Sequence, residues 1–300
     1  MAVDAARFEL APSRRTKRRK LVNRTMEALA TLAALAAVAV LAILVVSVAR
    51  KGASALNWDF FTKTPATFGQ SGGGVANALV GSLVIVAVAT AMAVPFGILI
   101  AIYVNEFAGP RTGQAVRLVL DILNGLPSIV LGIFVYGLLV LNGFLVFHGG
   151  QAAWKGSFAL AIIMVPLIAR ATQEVLALVP STLREGALGL GASRWRTVLG
   201  VVLPTSWGGI VTGTVLAVAR AAGETAPLLF TSALVLGNVS WDPRQPLQSI
   251  PLQIFQYAES ADPADHARAW ALAFVLLMFV LITSLVARAI LLRSRRKLEQ

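Results

Sequence analysis

The stretch "LREGALGLGASRWRTVLGVVLP" (183–204) lies between two long apolar runs but does not have the composition of a simple loop. Ser181 as a capping residue and Glu185 in the early turns are typical of a helix start, and Gly189 and Gly191 are typical of a turn. The basic "RWR" and a second apolar run follow. This pattern predicts a short amphipathic helix, a turn and a second helix. The first helix either docks into a groove on another protein or lies on the membrane surface.

The apolar runs around this stretch are long enough to cross a membrane. The 300-residue chain is 57% hydrophobic and only 13% charged, which is outside the usual range of soluble domains. A helix of about twenty apolar residues spans the hydrocarbon core of a bilayer. Six such runs occur, at residues 26–49, 77–103, 118–141, 157–179, 205–222 and 269–292. Because the sequence also lacks the alternating ten-residue segments of membrane barrels, it predicts an all-α integral membrane protein with six transmembrane helices.

Several residues are expected to interrupt these helices. Three prolines lie inside the predicted spans: Pro95, Pro127 and Pro166. Each removes a helix hydrogen bond, so we expect kinks there. After the fifth span, Gly223 and Pro227 bracket a break before the apolar run 227–237, which is too short to cross alone. We expect a broken or re-entrant outer end, followed by an outer segment 238–268 that contains a short helix.

The basic residues indicate which side of the membrane each segment faces. Eight of the 26 lysines and arginines precede the first span, five lie near the end of the chain, and loops 104–117 and 180–204 carry five more. Because cytoplasmic segments are enriched in Lys and Arg, both termini and these loops are predicted to be cytoplasmic. The sequence "RRTKRRK" (14–20) is interpreted as part of this topology signal rather than as an RNA or acidic-lipid site. Arg117 and Asp121, four residues apart, predict an interfacial ion pair or a helix-start charge.

Residue content also limits the chemistry of the chain. There is no cysteine, so disulfides and thiolate metal sites are excluded. The Gly-Lys-Ser or Gly-Lys-Thr of a phosphate-binding P-loop does not occur, so the chain carries no ATPase of its own. The two histidines, His148 and His266, each stand alone in a predicted outside segment. We therefore predict no metal site, no enzyme activity and no nucleic-acid partner.

The loop at 181–204 resembles the "EAA" loop in the permease subunits of bacterial ATP-driven importers. The residues that match its pattern are Glu185, Ala187, Gly191, Leu203 and Pro204. Gly186 stands where that pattern has its first alanine, and Val201 where it has isoleucine. The resemblance implies the type I importer (MetI-like) architecture. It also implies that this loop, including Gly186, is the coupling helix that fits a cleft in a separate nucleotide-binding subunit.

Two further stretches narrow the resemblance to the permease subunits of phosphate importers. They are "LPSIVLGIFVYG" (126–137) and "GGIVTGTVLAVARAAGETAPLLFTSA" (208–233). The resemblance implies a homologous permease subunit like PstC, an ATPase dimer like PstB and an extracytoplasmic phosphate-binding protein like PstS as partners, beside membrane lipid. ATP and Mg²⁺ would belong to the partner ATPase, and no cofactor to this chain. The implied location is the bacterial cytoplasmic (inner) membrane.

The predicted layout has four parts. They are a basic cytoplasmic tail at 1–25, a first transmembrane anchor at 26–49, a permease core at 75–292 and a cytoplasmic tail at 293–300. The core contains the coupling loop at 181–204. The similarity to importer permeases covers about the same residues as the core.

Two charged motifs lie inside the predicted spans, where an ionised side chain costs about 2.5–3.5 kcal/mol. The fourth span contains Arg170 and Glu174, and the fifth ends with Arg220, Glu224 and Thr225. Residues four apart on a helix share a face, so each arginine is expected to pair with its glutamate when no ligand is bound. Guanidinium groups bind phosphate through two hydrogen bonds, so these residues are candidates for a phosphate pathway. A fixed ion-pair network between the two spans is the alternative.

The predicted function is that of a permease subunit of an ATP-driven inorganic phosphate importer, which forms half of the transmembrane pathway. A permease for another oxyanion, sulfate or molybdate, is an alternative that spacing alone does not exclude. A self-sufficient ion-coupled transporter is a second alternative, because such proteins also have broken helices and charges at the membrane midplane. The loop at 183–204 argues against it, since an ion-driven carrier needs no docking site for an ATPase.

Overall fold

The computed structural model describes residues 14–65, 73–141, 149–232 and 238–298. Outside these ranges lie both chain ends, part of the glycine-rich segment at 69–74, His148, and residues 233–237 of the short apolar run. The described chain is almost entirely helical and contains no strand, so the predicted all-α class is confirmed.

The helices follow one another closely along the chain. They are α1 (Arg14–Gly52), α2 (Trp58–Thr62), α3 (Ala76–Ile102), α4 (Pro110–Gly125), α5 (Ser128–Val135), α6 (Ala153–Ala177), α7 (Ser181–Gly189), α8 (Arg194–Thr197), α9 (Leu203–Ala221), α10 (Ala226–Thr231), α11 (Ile250–Glu259) and α12 (Pro263–Leu298). Wider π-helical turns extend three of them, at Tyr103–Phe107 after α3, Tyr136–Leu141 after α5 and Val198–Val202 after α8. The chain divides into two compact units, residues 1–50 and 51–300.

The first unit consists, as far as it is described, of most of α1. Its large apolar side chains are mostly exposed, as at Leu35, Leu41 and Ile43. Exposed leucine and isoleucine suit a helix that is surrounded by lipid. The helix begins at Arg14, so the basic stretch "RRTKRRK" forms its first turns and the helix is longer than the predicted anchor.

The core of the second unit lies between α3 and α6, which run parallel to each other. Ser157 on α6 donates a hydrogen bond to the carbonyl of Ile85 on α3 (2.9 Å). Further along both helices, Gly97 lies against Ile168 so closely that a Cβ at Gly97 would be 2.8 Å from the Cβ of Ile168. Small residues let helix backbones approach in a membrane, where packing rather than water exclusion holds helices together. The largest fully buried side chains here are Ile85, Leu160, Met164 and Ile168.

Helix α9 packs against the same α6 through glycines. A Cβ at Gly213 would lie 2.6 Å from the Cβ of Ala171, and one at Gly209 would lie 2.5 Å from Cγ1 of Val175. The order of these contacts shows that α9 runs antiparallel to α6. Pro166 lies within α6, and the helix continues past it. The two arginine-bearing helices of the sequence analysis are therefore direct neighbours.

The third predicted span is not one straight helix. Its two parts, Pro110–Gly125 and Ser128–Leu141, are bent by 97° at Leu126 and Pro127. The residue before a proline is driven to extended backbone, and Leu126 has φ −71° and ψ 135°. Within the described ranges, five helices are individually long and apolar enough to cross a membrane, and the count reaches six only if this bent pair is one span. Proline therefore breaks the helix here rather than kinking it.

The fifth predicted span also breaks, where the sequence indicated. Helix α9 ends at Ala221, a turn follows, and α10 begins at Ala226. Helix α10 packs against α5, because a Cβ at Gly132 would lie 2.6 Å from the Cα of Pro227. The two broken spans are thus in contact at their breaks. The predicted outer segment holds α11 as its short helix.

The predicted loop 104–117 differs from the prediction. Helix α4 starts at Pro110 and the turn after α3 ends at Phe107, so this loop is almost wholly helical.

Lys155 is a buried charge, only 2% exposed in the first turn of α6. Its ammonium donates to the carbonyls of Leu139 (2.9 Å) and Gly150 (2.7 Å). A buried lysine satisfied by carbonyls ties α6 to the end of α5, which sequence spacing does not reveal.

Candidate functional site

Arg170 pairs with a residue that the sequence analysis assigned elsewhere. Its guanidinium donates to Asp121 on α4 and to the carbonyl of Arg117 (3.3 Å). The expected pairs Arg170–Glu174 and Arg117–Asp121 are not formed, since among the described residues Glu174 has no ion-pair partner within 4 Å and is exposed. The reason lies in the tertiary structure, because α4 packs across α6 and places Asp121 at the face of α6 that carries Arg170.

Arg220 and Glu224 also depart from the expected helical pair. Helix α9 ends at Ala221, so Glu224 lies beyond the helix and is not one helical turn away from Arg220. In the described part of the chain neither side chain forms an ion pair within 4 Å. Both instead line a cavity of about 240 Å³ at the break between α4 and α5. Arg170 does not line this cavity, so the structure does not bring the two arginines into one site.

The cavity contains two further polar residues that the sequence analysis missed. Asn124 and Ser128 line it beside Arg220 and Glu224, and the rest of its wall is apolar. Ser128 follows Pro127 in the "LPSIV" stretch and Asn124 lies two residues before that stretch, so the helix break itself was the available indication. Thr225 precedes α10 and its carbonyl accepts a hydrogen bond from the amide of Leu229 (3.1 Å). An arginine fork, an amide, a hydroxyl and a carboxylate together suit a small oxyanion that also carries a proton.

The predicted helix–turn–helix is present at 181–204. Helix α7 is followed by Gly191 with φ +84°, a left-handed conformation that glycine adopts without strain, and then by α8. The π-helical turn after α8 leads directly into α9, which starts with Leu203 and Pro204. Ser181 is not the expected cap: Pro180 occupies the capping position, and the Ser181 side chain makes no capping hydrogen bond.

This segment exposes apolar side chains to solvent. Leu190 is 91% exposed, and Leu183, Leu188 and Trp195 are each more than 40% exposed. Glu185 and Gly186 are also exposed, Ala187 is half-buried, and a Cβ at Gly186 would meet nothing within 4 Å. A cluster of exposed leucines next to basic residues is typical of a surface that another protein covers. We call residues 181–197 the coupling segment.

A buried ion pair ties the coupling segment to the rest of the protein. Arg184 donates to both carboxylate oxygens of Glu106, at 2.9 and 3.3 Å. The same guanidinium donates to the carbonyls of Leu176 (2.8 Å) and Val179 (2.6 Å), at the end of α6. Sequence analysis counted Arg184 only as a cytoplasmic charge and did not consider Glu106, because the two residues are 78 positions apart.

Metal-binding side chains are not clustered in the described ranges, where no group of three or more His, Asp or Glu residues could hold a metal ion. The charged residues that line the cavity at the helix breaks are the arginine and glutamate already described. The arrangement can therefore bind an anion.

Comparison with known proteins gives concordant results. Residues 93–296 match the family described as binding-protein-dependent transport system inner membrane component. Among curated proteins, the phosphate transport system permease protein PstA of Xylella fastidiosa (strain 9a5c) is 42% identical over 284 residues, which cover 93% of this chain and 96% of the relative. The protein of the same name from Haemophilus influenzae is 39% identical, over 90% of this chain and 94% of the relative.

Solved structures with a similar fold come from other ABC transporters. The bacterial alginate ABC transporter, in complex with its alginate-bound periplasmic protein, matches with a TM-score of 0.60 at 15% identity over 92% of this chain and 94% of that one. An inward-facing MetNI methionine ABC transporter matches with a TM-score of 0.55 at 18% identity, over 74% and 94%. These likenesses show a shared importer-permease fold. By its sequence matches, the chain belongs to the binding-protein-dependent transport system inner membrane components and, within them, to the PstA family of phosphate transport system permease proteins.

Proposed function

We propose that this chain is the permease subunit of an ATP-driven importer of inorganic phosphate. It forms half of the transmembrane pathway, and a homologous PstC-like subunit supplies the other half. A PstB-like ATPase dimer, which holds ATP and Mg²⁺, drives transport, and a PstS-like protein delivers phosphate from outside. The chain is a non-enzymatic, multi-pass inner membrane protein, as its family implies. Both termini and the coupling segment face the cytoplasm, in keeping with the distribution of basic residues.

The observation that carries this proposal is the cavity lined by Arg220 and Glu224. An arginine that has no ion-pair partner in the described chain and faces a 240 Å³ cavity is available to bind an oxyanion. Arg170 differs, because Asp121 and a carbonyl already engage its guanidinium. We assign the phosphate contact to Arg220. Arg170 is a second pathway contact that phosphate reaches only by displacing Asp121.

The carboxylate of Glu224 favours phosphate over sulfate or molybdate. An ionised carboxylate only accepts hydrogen bonds. Inorganic phosphate at neutral pH still carries at least one proton, so it can donate a P–O–H hydrogen bond to Glu224 while its other oxygens accept from Arg220. Sulfate carries no proton at this pH and would place oxygen against oxygen. Glu174 and Thr225 remain pathway candidates by their position on α6 and before α10.

The coupling segment supports an ATP-driven mechanism rather than an ion-driven one. Its exposed Leu183 and Leu188 lie on a short helix outside the spans, and the exposed Leu190 directly follows that helix. Exposed apolar side chains on a short helix can dock in a groove on another protein. We propose that this surface, with Glu185, Gly186 and Ala187, contacts the ATPase. A surface lying on lipid is the alternative, and it predicts that the ATPase binds equally well without this segment.

The proposal is tested with the complete importer reconstituted in lipid vesicles. Arg220→Gln removes the charge and the bidentate fork, so phosphate uptake should fall about 10- to 100-fold, as expected for a charge-assisted hydrogen bond. Arg111→Gln is the matched control, because it removes an exposed arginine on α4 that lines none of the described cavities. If Arg220→Gln keeps uptake within twofold of the control, the cavity is not the phosphate site.

The assignment of Glu224 has its own test. Glu224→Gln offers a donor to the oxyanion, so sulfate should become a competitor of phosphate uptake, whereas it should not compete in the unmodified importer. The double variant Arg220→Gln/Glu224→Gln should not recover transport, because it has no guanidinium. Normal uptake by the double variant would show that the two residues serve only to hold the helices together.

A further inference from the structure

The ion pair Glu106–Arg184 joins the end of α3 to α7, 78 positions away in sequence, and the same arginine also engages the end of α6. Glu106 lies in the π-helical turn at the end of α3, Arg184 lies on α7, and the carbonyls of Leu176 and Val179 end α6. Arg184 donates to all of these acceptors at once, through four hydrogen bonds between 2.6 and 3.3 Å. The first turn of the coupling segment is thus fixed to the ends of two core helices.

Among the ion pairs of the described chain, this one is partly buried and joins residues far apart in sequence. The side chain of Arg184 is 24% exposed and that of Glu106 is 10% exposed. Lys63–Asp59 and Arg268–Asp265 each lie within four residues of sequence, and Arg170–Asp121 is more exposed. Removing one partner of a buried pair leaves an uncompensated charge, which is strongly unfavourable. The pair therefore resists sliding of α7 relative to α3.

Two further contacts hold the same end of α3. Asn105 donates to the carbonyl of Gln173 on α6 (2.9 Å). The ring of Phe107 lies 5.5 Å from that of Trp195 on α8, centre to centre. Each residue of the run Asn105–Glu106–Phe107 thus contacts a different element. A displacement of the coupling segment reaches α3 through a short and well-packed path.

We propose that Glu106 and Arg184 form the link that transmits movement of the coupling segment to α3 and α6. This inference rests on the proposed docking of the segment on the ATPase. A bidentate guanidinium–carboxylate pair has a geometry that is fixed in two directions. It therefore transmits movement of α7 both toward and away from α3. Leu190, which is almost fully exposed, contacts the ATPase, whereas Arg184 faces the core. The start of α7 is thus tied to the core, whereas the residue after its end faces the ATPase.

Space for this movement exists beside the pair. A cavity of about 440 Å³ is lined by Glu106, Arg184, Arg117 and Arg194. A cavity lets α7 tilt without a clash, while the ion pair keeps its first turn attached to α3. Arg117 shares the cavity wall, but its side chain takes no part in the four hydrogen bonds of the link. Its side chain is therefore a suitable control.

The test measures ATP hydrolysed per phosphate imported by the complete importer in vesicles. Glu106→Gln keeps the shape but removes the charge, and the ratio should rise about tenfold with the ATPase still bound. Arg184→Lys keeps the charge but loses the fork, so the ratio should rise about threefold. Arg117→Gln should leave it unchanged. Arg184→Gln combined with Glu106→Gln should give no larger rise than Arg184→Gln alone, because Arg184→Gln already removes the ion pair together with the hydrogen bonds to Leu176 and Val179.

Other results separate this inference from the proposed docking. If the ATPase stays bound and the ratio stays normal in both Glu106→Gln and Arg184→Lys, the link is wrong and the docking stands. An equal rise of the ratio in Arg117→Gln would also overturn the proposed link, because the effect would then come from changing the charge that lines the cavity. If the ATPase does not bind the unmodified permease, the proposed function itself fails. A purely structural role predicts a lower unfolding temperature with an unchanged ratio.

Discussion

Gly97→Ala tests the packing that positions Arg170. A Cβ at this position would lie 2.8 Å from both Cβ and Cγ2 of Ile168, and 3.3 Å from the carbonyl oxygen of Val165. Carbon atoms pack best at about 3.5–4.0 Å, so α3 and α6 must separate by roughly 0.7 Å or more. Neither of the two Ile168 atoms is the flexible end of a long side chain. The strain is therefore not relieved by a rotamer change.

The expected loss of stability follows from two opposing effects. Overpacking of this kind costs about 1–3 kcal/mol. Alanine in place of glycine favours a helix by about 0.5–1 kcal/mol. The net loss is roughly 1–2 kcal/mol. Since Ile168 is two residues before Arg170, the separation also draws Arg170 away from Asp121, and phosphate uptake should fall with stability.

The assay compares thermal unfolding and phosphate uptake of the purified importer carrying each variant. Gly137→Ala is the matched control, because a Cβ there meets nothing within 4 Å. Gly97→Ala should unfold several degrees below this control. Equal unfolding temperatures and undiminished uptake would refute the close packing of α3 on α6 and its effect on Arg170.

Three further predictions concern topology, the coupling segment and pH. In intact cells, an impermeant thiol reagent should label Arg244→Cys but not Arg194→Cys, both at exposed positions, and the reverse would invert the topology. Gly191→Ala should weaken coupling to the ATPase, because its φ of +84° costs an L-residue about 1–2 kcal/mol. Gly189 has no positive φ, so Gly189→Ala should behave normally. Similar effects of both variants would exclude backbone strain at Gly191 as the cause. Burial raises the pKa of Tyr257 above its ordinary value of 10.0, so the stability it contributes is present below pH 10 and is lost as pH rises through the higher folded-state pKa. Tyr257→Phe should remove an absorbance transition above pH 10 in an alkaline titration of the purified protein, and an unchanged titration above pH 10 would contradict the burial.

Sequence patterns that involve only neighbouring residues predicted the local structure well. Glycine and proline at 223 and 227 located the break between α9 and α10, and Gly191 located the turn of the coupling segment. Backbone requirements at such positions are nearly independent of the rest of the fold. The third span was predicted less well, because a proline inside an apolar run either kinks or breaks the helix. Packing of α5 against α10 at Gly132 is compatible only with the break.

Ion pairs were the main features that the sequence did not reveal. Spacing of four residues shows which side chains share a helix face, but not which other helix packs on that face. Asp121 reaches Arg170 from 49 positions away, and Glu106 reaches Arg184 from 78 positions away. In an apolar environment, each charged side chain pairs with an opposite charge on the helix that packs against it. The repeated R-x-x-x-E motif therefore located charges inside the predicted spans but did not predict their partners.

The two broken spans explain why the candidate phosphate site lies where it does. A helix break in lipid exposes backbone groups that must find partners in protein or in a polar cavity. Here the breaks after Gly125 and after Ala221 lie close together, because α5 packs on α10 through Gly132 and Pro227. Each break shields the other from lipid, and the polar cavity with Arg220 and Glu224 forms between them. The cavity is thus a consequence of placing two helix breaks in contact, and a substitution that separates α5 from α10, such as Gly132→Val, should abolish phosphate uptake while Arg220 itself is unchanged.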